Sequence, residues 1–354
     1  MEADEKYIKG RGAQFNPANP YLKKEYVTEH IEGLDEPFLQ DSKTEFFTEH
    51  PKKIVNSVES PDLGLSYSMN PYQGCEHGCI YCYARNSHQY WGYGAGLDFE
   101  RKIIIKENAP EVLAKQFENP KWEVRTIMLA GNTDCYQPIE QKLQLTRRML
   151  QVVLQYRHPV SIITKNALII RDLDLLQALS KLNLVHVNIS ITTLNEQLRQ
   201  KLEPRTAAAT KRLHVVKQLA EAGIPVNVMV APIIPGLNDH EIPAIIKQVA
   251  EQGASSAAYN IVRLNGAIGG IFKDWIYKNF PDRADKVLKQ IASCHGGNLN
   301  DSVFGRRMSG EGKFAEAIAT LFRISKQKYL QGRSMPPYNY HLFCTKAGKQ
   351  MGLF

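Results

Sequence analysis

The sequence LSYSMNPYQGCEHGCIYCYAR spans residues 65–85 and joins a short β-type run to a loop with cysteines at positions 75, 79 and 82. Stretches with helical periodicity separate this run from five later apolar, β-branched runs. Those runs are TIMLAG (126–131), VSIIT (160–164), VHVNISI (185–191), VNVMVAPI (226–233) and AAYNIVRL (257–264). Strands that alternate with helices in this way predict βαβ units and a parallel sheet.

The segments between the strands place their apolar residues on one helical face. Residues 139–156, for example, carry Leu143, Met149, Leu150 and Val153 largely on one side. The same periodicity predicts helices over residues 170–182, 207–222 and 241–252. Gly223 and Pro225 then form a stop signal directly before the next strand.

Six strands fit between residues 65 and 264. A closed eight-stranded barrel takes about 250 residues, so the shorter span predicts an open, partial (β/α)6 TIM-type barrel. The open side of such a barrel can admit a large substrate. A doubly wound sheet gives much the same sequence pattern and is the alternative fold.

The two ends of the chain extend the barrel. Residues 1–60 mix charge, Pro and Gly without a sustained apolar period, which predicts an N-terminal arm, wrapped on the body or partly disordered. We assign residues 61–265 to the barrel and 266–354 to a helical C-terminal extension. This extension carries predicted helices over 272–279, 284–293 and 312–327 and ends in a basic tail. The tyrosines of the tail suit either base stacking or packing across the end of the barrel.

The composition points to a soluble protein in a reducing compartment. The opening MEADEKYIKG lacks the apolar stretch of a signal peptide, and no later run has the length of a membrane helix. Six cysteines in 354 residues do not suggest a disulfide scaffold. We therefore expect a cytoplasmic protein with no membrane partner, in which a tight group of cysteines signals metal or redox chemistry.

The net charge of +8 is unevenly distributed. Residues 1–50 hold 11 acidic and 6 basic residues, whereas the rest of the chain holds 25 acidic and 38 basic residues. A surface with a net charge of +13 outside the first 50 residues attracts phosphates, and nucleic acid is the candidate partner. Ordinary solubility charge explains the same numbers equally well.

The cysteine loop follows the first strand and so lies at the C-terminal mouth of the barrel, where βα loops build active sites. Iron–sulfur clusters usually take four cysteines, but the remaining ones, Cys135, Cys294 and Cys344, stand alone. Three protein ligands leave one iron open to an outside ligand, as in catalytic metal sites. A Cys3His zinc site with His77 or His88 is the alternative, although zinc modules usually bring two separated ligand pairs.

The CxxxCxxC spacing, with Tyr81 before the last cysteine, resembles the radical S-adenosylmethionine (SAM) superfamily. The resemblance implies that Cys75, Cys79 and Cys82 hold a [4Fe–4S] cluster whose open iron is chelated by the methionine part of SAM. It also implies that an electron from the cluster splits SAM to a 5′-deoxyadenosyl radical. A reducing partner of the flavodoxin or ferredoxin type would supply that electron. The fold of this family is a partial (β/α)6 barrel, in agreement with the strand count.

Longer runs resemble one branch of this superfamily. Besides residues 65–85, they are LAGNTDCYQPIEQ (129–141), IITKN (162–166) and ISITTLNEQLRQKLEPRTA (189–207). They are similar to the group described as DNA repair photolyase-like, which is related to spore photoproduct lyase, over about residues 45–325. This resemblance implies a lyase or repair-like reaction on nucleic acid.

The resemblance also suggests contacts to the methionine part of SAM. Thr133 and Asp134 end the second strand and would face the amino group, while Lys165, after the third strand, would pair with the carboxylate. Asp134 could instead cap the following helix, and Lys165 could be solvated.

The remaining cofactor contacts are suggested in the same way. Ser190 on the fourth strand and Arg205 in the EPRT sequence would meet the ribose or carboxylate. Tyr81 and Asn260 are candidates for the adenine side. Ser190 has the alternative role of satisfying backbone groups in the sheet. The position of these residues at the C-terminal ends of successive strands favours a common site.

One position departs from the lyase pattern. The lyases carry a cysteine a few residues before the Thr/Ser-Asp pair, where it gives a hydrogen atom to the product radical. Here Ala130, Gly131 and Asn132 hold that place, and Cys135 follows Asp134 instead. Cys135 is a candidate hydrogen donor, but a buried small apolar residue is the favoured interpretation.

Together, these observations predict a radical SAM enzyme with DNA or RNA as the leading substrate class. A peptide or a small metabolite is the alternative substrate. A metal-bearing nucleic-acid-binding module without catalysis is the alternative of a different class.

Overall fold

The computed structural model describes residues 7–22, 43–62 and 64–345. The strands in these ranges are β1 (Glu45–Glu49), β2 (Val55–Ser57), β3 (Tyr67–Met69), β4 (Tyr72–Gln73), β5 (Lys102–Lys106), β6 (Ile127–Leu129), β7 (Val160–Thr164), β8 (Val185–Ser190), β9 (Val226–Ile233) and β10 (Ser256–Ile261). The α-helices are α1 (Leu97–Arg101), α2 (Ala109–Phe117), α3 (Glu140–Leu143), α4 (Leu145–Gln155), α5 (Leu173–Ser180), α6 (Glu196–Leu202), α7 (Ala209–Glu221), α8 (Ile242–Glu251), α9 (Ile268–Asn279), α10 (Pro281–Ser293) and α11 (Gly312–Leu330). Shorter 3-10 helices cover Tyr83–Trp91, Ala167–Asp172 and Asp239–Glu241.

Seven strands form the main sheet in the order β10-β9-β8-β7-β6-β3-β2. Six strands of this sheet pair in parallel, namely β3 and β6 to β10, and β2 joins β3 in antiparallel orientation. The parallel strands follow the chain without reversal, as in a TIM-type barrel, whereas a doubly wound sheet reverses its order at a switch point. The structure therefore confirms an open, partial (β/α)6 barrel with β10 and β2 as its described edges. The doubly wound alternative is wrong.

The two faces of the main sheet differ in polarity. Val185, Val187 and Ile189 of β8 belong to the hydrophobic core that the helices cover. Asn188 lies between them on the opposite, concave face, because successive strand residues alternate in direction. Its side chain donates to Ser161 Oγ on β7 (2.9 Å) and accepts from Asn227 Nδ2 on β9 (2.9 Å). The inside of the barrel thus contains a row of hydrogen-bonded polar groups across β7, β8 and β9.

A second sheet has the order β1-β5-β4. β1 runs parallel to β5, with Glu45 opposite Lys102. Both β1 and β2 lie within residues 1–60, where the sequence predicted an arm without strands. β1 forms because β5, much later in the chain, supplies its backbone partners. Residues 1–6 and 23–42 of the predicted arm lie outside the described residues, and the assigned domain boundaries stay predictions.

Most predicted helices are confirmed within a few residues, and Gly223, with φ of +73°, ends the 207–222 helix as expected. The continuous helix predicted over 139–156 is wrong. It is divided into α3 and α4 at Gln144, which has φ of +53°. The carboxylate of Glu140 accepts a hydrogen bond from Thr146 N (3.0 Å), so it caps a new helix instead of extending the first.

The C-terminal extension is helical as predicted, and α11 packs against α8 and β10. The chain after α11 then crosses the N-terminal ends of the barrel strands. Asn339 N donates to Asn183 O (3.0 Å), and the ring of Tyr338 stacks on His186 at 3.9 Å. These contacts support packing across the barrel end for Tyr338. Residues 346–354 of the basic tail lie outside the described residues.

Among the helices that the structure describes, none combines the length and apolar composition that crossing a membrane requires.

Candidate active site

The cysteine loop leaves β4 at the C-terminal mouth of the barrel and is held by α1 and β5. Cys75 N donates to Phe99 O (2.8 Å). Gly74 has φ of +80°, and a Cβ on it would lie 2.7 Å from Lys102 O. Only glycine fits both this left-handed backbone and the close approach of β5.

The three cysteines of the loop are free thiols. Cys75 and Cys79 are buried, and Cys82 is half-buried at the start of the Tyr83–Trp91 helix. Burial raises the pKa of Cys75 and Cys79, and the neighbouring thiols raise the pKa of Cys75 further. Lys165 opposes the rise at Cys79. Three thiols within electrostatic range of one another, beside a cation, are a donor set that suits an iron–sulfur cluster.

Gln137 clamps the loop from the opposite side. Its Nε2 donates to Gly74 O (3.1 Å), and its Oε1 accepts from Glu76 N (3.1 Å), so one side chain spans Cys75. Gln137 is fully buried. Sequence reasoning missed this residue, because a glutamine eight residues after the end of β6 carries no metal or catalytic signal.

Asp134 joins three loops. Its Oδ1 accepts from Thr164 Oγ1 (2.8 Å) and Tyr136 N (2.9 Å), and its Oδ2 accepts from Lys165 N (2.8 Å) and lies 3.3 Å from His77 Nδ1. Burial would raise the pKa of Asp134, but the His77 ring and the hydrogen bonds bring it to about 2. The carboxylate is therefore ionised and fully engaged within the protein.

Thr133, predicted beside Asp134, is also engaged: its Oγ1 donates to Tyr72 O at 2.5 Å. The contacts of Thr133 and Asp134 with the methionine amino group stay predictions.

The geometry does not support the zinc alternative. His77 uses Nδ1 toward Asp134, and its Nε2 lies 3.2 Å from Asn166 Nδ2. His88 is buried between the rings of Tyr93 and Phe99, at 5.1 and 5.6 Å. Within the described ranges, no three His, Cys, Asp or Glu side chains converge as one metal ion requires. A four-iron cluster needs no such convergence, because each thiolate binds a different iron.

Glu203 is the buried centre of the EPRT sequence. Its Oε1 accepts from Thr192 Oγ1 (2.6 Å) and from the hydroxyl of Tyr81, and its Oε2 pairs with Arg212 Nη2 at 2.5 Å. Burial would raise its pKa, but Arg212 and Lys165 hold it at about 2. Glu203 thus fixes the side chain of Tyr81, which lies between Cys79 and Cys82 in the sequence. Sequence reasoning singled out Arg205 and missed this residue.

Lys165 differs from these residues because its ammonium group has no hydrogen-bond or ion-pair partner among the described residues. Its Nζ lies 5.9 Å from the centre of the Tyr81 ring. Burial lowers its pKa, but Cys79, Glu203 and Asp134 more than offset this, so the pKa is raised. A charged lysine beside the cysteine loop is therefore available to an anionic ligand.

Ser190 ends β8 and is buried. Its carbonyl accepts from Arg212 Nη1 (2.9 Å). On β10, Asn260 has a buried Oδ1 without a hydrogen-bond partner in the described part of the chain. An unsatisfied buried amide oxygen fits a ligand that donates a hydrogen bond. The cofactor contacts of Ser190 and Asn260 stay predictions.

Arg205 lies at the outer side of the loop. Its Nε donates to Gly10 O (3.1 Å), and its Nη1 lies 3.7 Å from Glu76 Oε1. Its predicted contact with the ribose or carboxylate is untested, and these partners give it a structural role.

Cys135 is fully buried in the main hydrophobic core. This position agrees with the favoured interpretation of a small apolar residue and does not favour a hydrogen donor, which stays a prediction. At the place of the lyase cysteine, Gly131 O accepts from the hydroxyl of Tyr83, the residue after Cys82. The ring of Tyr83 is half exposed at the barrel mouth.

Comparison with known proteins identifies the family of this arrangement. The family model of the radical SAM superfamily matches residues 69–249, more than half of the chain. An uncharacterized protein of Mycobacterium tuberculosis is 31% identical over 234 residues, which are 65% of this chain and 69% of that protein. An uncharacterized protein of Methanocaldococcus jannaschii is 30% identical over 252 residues, 71% of this chain and 90% of that protein.

Solved structures share the fold. A point mutant of spore photoproduct lyase aligns with a TM-score of 0.61 and 15% identity over 86% of this chain and 87% of that chain. A mutant of the same enzyme with bound AdoMet and dinucleoside spore photoproduct aligns with a TM-score of 0.56 and 16% identity, over 81% and 79% of the two chains. At these identities the likeness concerns the fold alone.

Proposed function

Because the chain belongs to the radical SAM superfamily, we propose that it is a radical-generating enzyme that acts on nucleic acid. When bound to Cys75, Cys79 and Cys82, a [4Fe–4S] cluster supplies the electron that splits SAM to a 5′-deoxyadenosyl radical. Enzymes of this superfamily need a reductant, and we expect a flavodoxin or ferredoxin as the donor.

The observation that carries the proposal is that three free thiols lie beside Lys165, whose ammonium group has no hydrogen-bond or ion-pair partner among the described residues. The thiols lie on a loop fixed by Gly74 and Gln137, and Lys165 lies beside them over the Tyr81 ring. Lys165 would hold the carboxylate of SAM, since a raised pKa keeps its ammonium group charged. Glu203 would keep the Tyr81 ring in place beside the adenine.

Three observations support nucleic acid as the substrate class. The chain outside residues 1–50 has 38 basic and 25 acidic residues. Arg263, two residues after β10, has no hydrogen-bond or ion-pair partner among the described residues, and it interacts electrostatically with Arg307, Asp62 and Tyr83. The barrel is open between β10 and β2, its edges in the described part of the chain, so it can admit a large substrate. The proposal covers radical generation and substrate class. It does not extend to the photoproduct lyase reaction, because residues 130–132 lack the lyase cysteine.

Anaerobic reconstitution tests the first half of this proposal. We expect about four irons per chain, a brown chromophore, and 5′-deoxyadenosine after reduction with SAM. Replacing Cys75, Cys79 or Cys82 with Ala should abolish the chromophore, whereas Cys135→Ala and Cys294→Ala should retain it. Zinc as the bound metal, or no nucleoside from a fully loaded protein, would contradict the proposal.

A further inference from the structure

Residues 9–13 (KGRGA) lie against the cysteine loop rather than beside the barrel. A Cβ on Gly12 would lie 1.9 Å from Gly78 O, so the two backbones are in direct contact. Gly78 is the residue before Cys79 and has φ of +69°. A Cβ on Gly78 would in turn lie 3.3 Å from Gly12 N. Two glycines, far apart in the chain, thus let this segment reach the backbone that carries the thiols.

Glu100 joins the segment to the loop. Its carboxylate is fully buried and accepts hydrogen bonds from Gly12 N (3.0 Å) and Ala13 N (2.8 Å). The same carboxylate pairs with Arg85 Nη2 at 2.5 Å, and Arg85 Nε donates to Cys79 O (3.0 Å). A chain of bonds therefore runs from the N-terminal segment through two buried charges to Cys79.

Cys75, the other buried cysteine, is held by α1, the helix that carries Glu100. Arg11 Nη1 donates to Glu100 O at 2.6 Å. The neighbouring carbonyl, Phe99 O, accepts from Cys75 N. On the outer side, Gly10 O accepts from Arg205 Nε, and Arg205 N donates to His77 O (3.2 Å). Residues 9–13 are thus in contact with the cysteine loop at Gly78 and are linked to it at His77 through Arg205 and at Cys79 through Glu100 and Arg85.

We propose that residues 9–13 are a structural part of the cluster-binding loop, and that Glu100 is a positioning residue that holds Cys75 and Cys79 for the cluster. This inference rests on the proposed function. A buried carboxylate shared by two backbone amides and an arginine fixes geometry, because removing it leaves those donors and the Arg85 charge without a partner. Since the segment also covers the backbone of Gly78, next to the buried Cys79, we expect it to limit the access of reagents to that thiol.

The test compares Gly12→Ala with Gly270→Ala. Both changes add one methyl group, but the Cβ at Gly12 meets Gly78 O, whereas the Cβ at Gly270, in α9, meets nothing within 4 Å. We expect Gly12→Ala to lose most of its iron after reconstitution and to change the electron paramagnetic resonance signal of the reduced cluster. In the iron-free protein, its thiols should react several-fold faster with Ellman's reagent. Gly270→Ala should match the natural protein in all three measurements.

Glu100→Gln is the second variant, since it preserves side-chain shape and removes the charge opposite Arg85. Glu100→Gln should shift the electron paramagnetic resonance signal in the same direction as Gly12→Ala. Glu100→Asp, which keeps the negative charge, should restore part of the iron content that Glu100→Gln loses. Natural iron content, signal and thiol reactivity in both variants would overturn the inference. Loss of folding in both would also overturn it, because the residues would then belong to the global core. If the natural protein takes up no iron, the proposed function fails, but the thiol reactivities still test the segment.

Discussion

Lys165 and Asp134 follow neighbouring strands, yet their surroundings give them different tasks. Asp134 has four partners within the protein, and these hold its pKa at about 2. The ammonium group of Lys165 has no hydrogen-bond or ion-pair partner among the described residues, whereas the backbone amide of Lys165 is one of the donors to Asp134. Asp134 therefore positions the loop from which the Lys165 ammonium group reaches toward Cys79.

We predict that Lys165→Met weakens SAM binding without loss of iron. A hydrogen bond to a charged group contributes about 1.5–3 kcal/mol, so the dissociation constant should rise roughly 10- to 100-fold. Lys165→Arg should retain part of the affinity. The measurement is equilibrium binding of SAM to the reconstituted protein, with iron content determined in parallel. Lys211→Met, an exposed lysine on α7, is the control. Unchanged affinity in Lys165→Met would contradict the proposed contact.

The sequence identified the residues that bear the chemistry better than those that support them. Cys75, Cys79 and Cys82 have a recognisable spacing, and Lys165 follows a predicted strand. Glu203 and Gln137 have no such signal. Glu203 meets the Tyr81 hydroxyl 122 residues away in the chain, and Gln137 meets Gly74 at a separation of 63 residues. Such pairings depend on how the strands are arranged, which local residue types do not specify.

At the scale of elements, the six parallel strands of the main sheet were the easiest part to predict, because each has an apolar face toward the helices, whereas β1, β2, β4 and β5 were not predicted. The break between α3 and α4 could not be predicted, since the apolar spacing continues through Gln144 and only the Glu140 cap interrupts it. The N-terminal segment was equally hidden. From the sequence alone, Gly10 and Gly12 are interpreted as loop residues, because the residues that they contact lie far away in the chain.

The tail that crosses the barrel is an element whose role the structure clarifies. His186 lies on the concave face of β8, where its Nε2 contacts Pro336 O (2.8 Å) and its ring stacks on Tyr338. Phe343 packs edge-on against His158 and Phe117. The tail therefore packs across the N-terminal end of the barrel, which leaves the cysteine-bearing end and the open side for a substrate.

We predict that Tyr338→Ala destabilises the protein by about 2–3 kcal/mol, less than the removal of a fully buried aromatic side chain, because Tyr338 is only partly buried. Tyr340→Ala is the matched control, because Tyr340 is 44% exposed and should contribute less than about 1 kcal/mol. The free energy of unfolding from urea titration checks both values. An equal effect of the two changes would argue that the tail does not pack across the barrel end.

For the molecule as a whole, buried histidines make the free energy of unfolding depend on pH. His158 is fully buried, stacks on Phe117 at 4.5 Å, and accepts a hydrogen bond at Nε2 from Trp122 Nε1 (3.2 Å). Burial lowers its pKa from 6.5 to about 4. Burial also lowers the pKa of His88 to about 4. Both rings are thus neutral in the folded protein at pH values where they would be charged in the unfolded chain.

We predict that stability falls between pH 6.5 and pH 4 and is constant, as far as His158 is concerned, above that window. The folded-state pKa is the lower one, so protons bind preferentially to the unfolded chain as the pH decreases. His158 accounts for up to about 3 kcal/mol of this loss. His158→Gln should be less stable at pH 7, but its free energy of unfolding should decrease less between pH 7 and pH 5. The pH dependence that remains should come in part from His88. Urea midpoints at the two pH values, with the exposed His214→Gln as control, measure this difference.

The charge distribution of the molecule leads to the last prediction. Outside residues 1–50 the chain carries a net charge of +13, and at the cysteine-bearing end of the barrel Arg263 has no hydrogen-bond or ion-pair partner among the described residues. A nucleic acid held there would release counterions, so its affinity should fall steeply as salt increases. Arg125 precedes β6 at the other end of the barrel, where it pairs with the exposed Glu123 at 2.8 Å.

We predict that Arg263→Gln weakens binding of a short single-stranded oligonucleotide and reduces the slope of log K against log salt concentration by about 0.7 to 1. Arg125→Gln should leave the slope unchanged, because that residue lies at the end of the barrel that the tail crosses. Fluorescence anisotropy over a series of salt concentrations measures both variants against the natural protein. Equal slopes for the natural protein and both variants would show that Arg263 does not contact the oligonucleotide. Binding that is absent, or insensitive to salt, would favour a peptide or a small metabolite as the substrate, because neither requires the phosphate contacts on which the argument for nucleic acid depends.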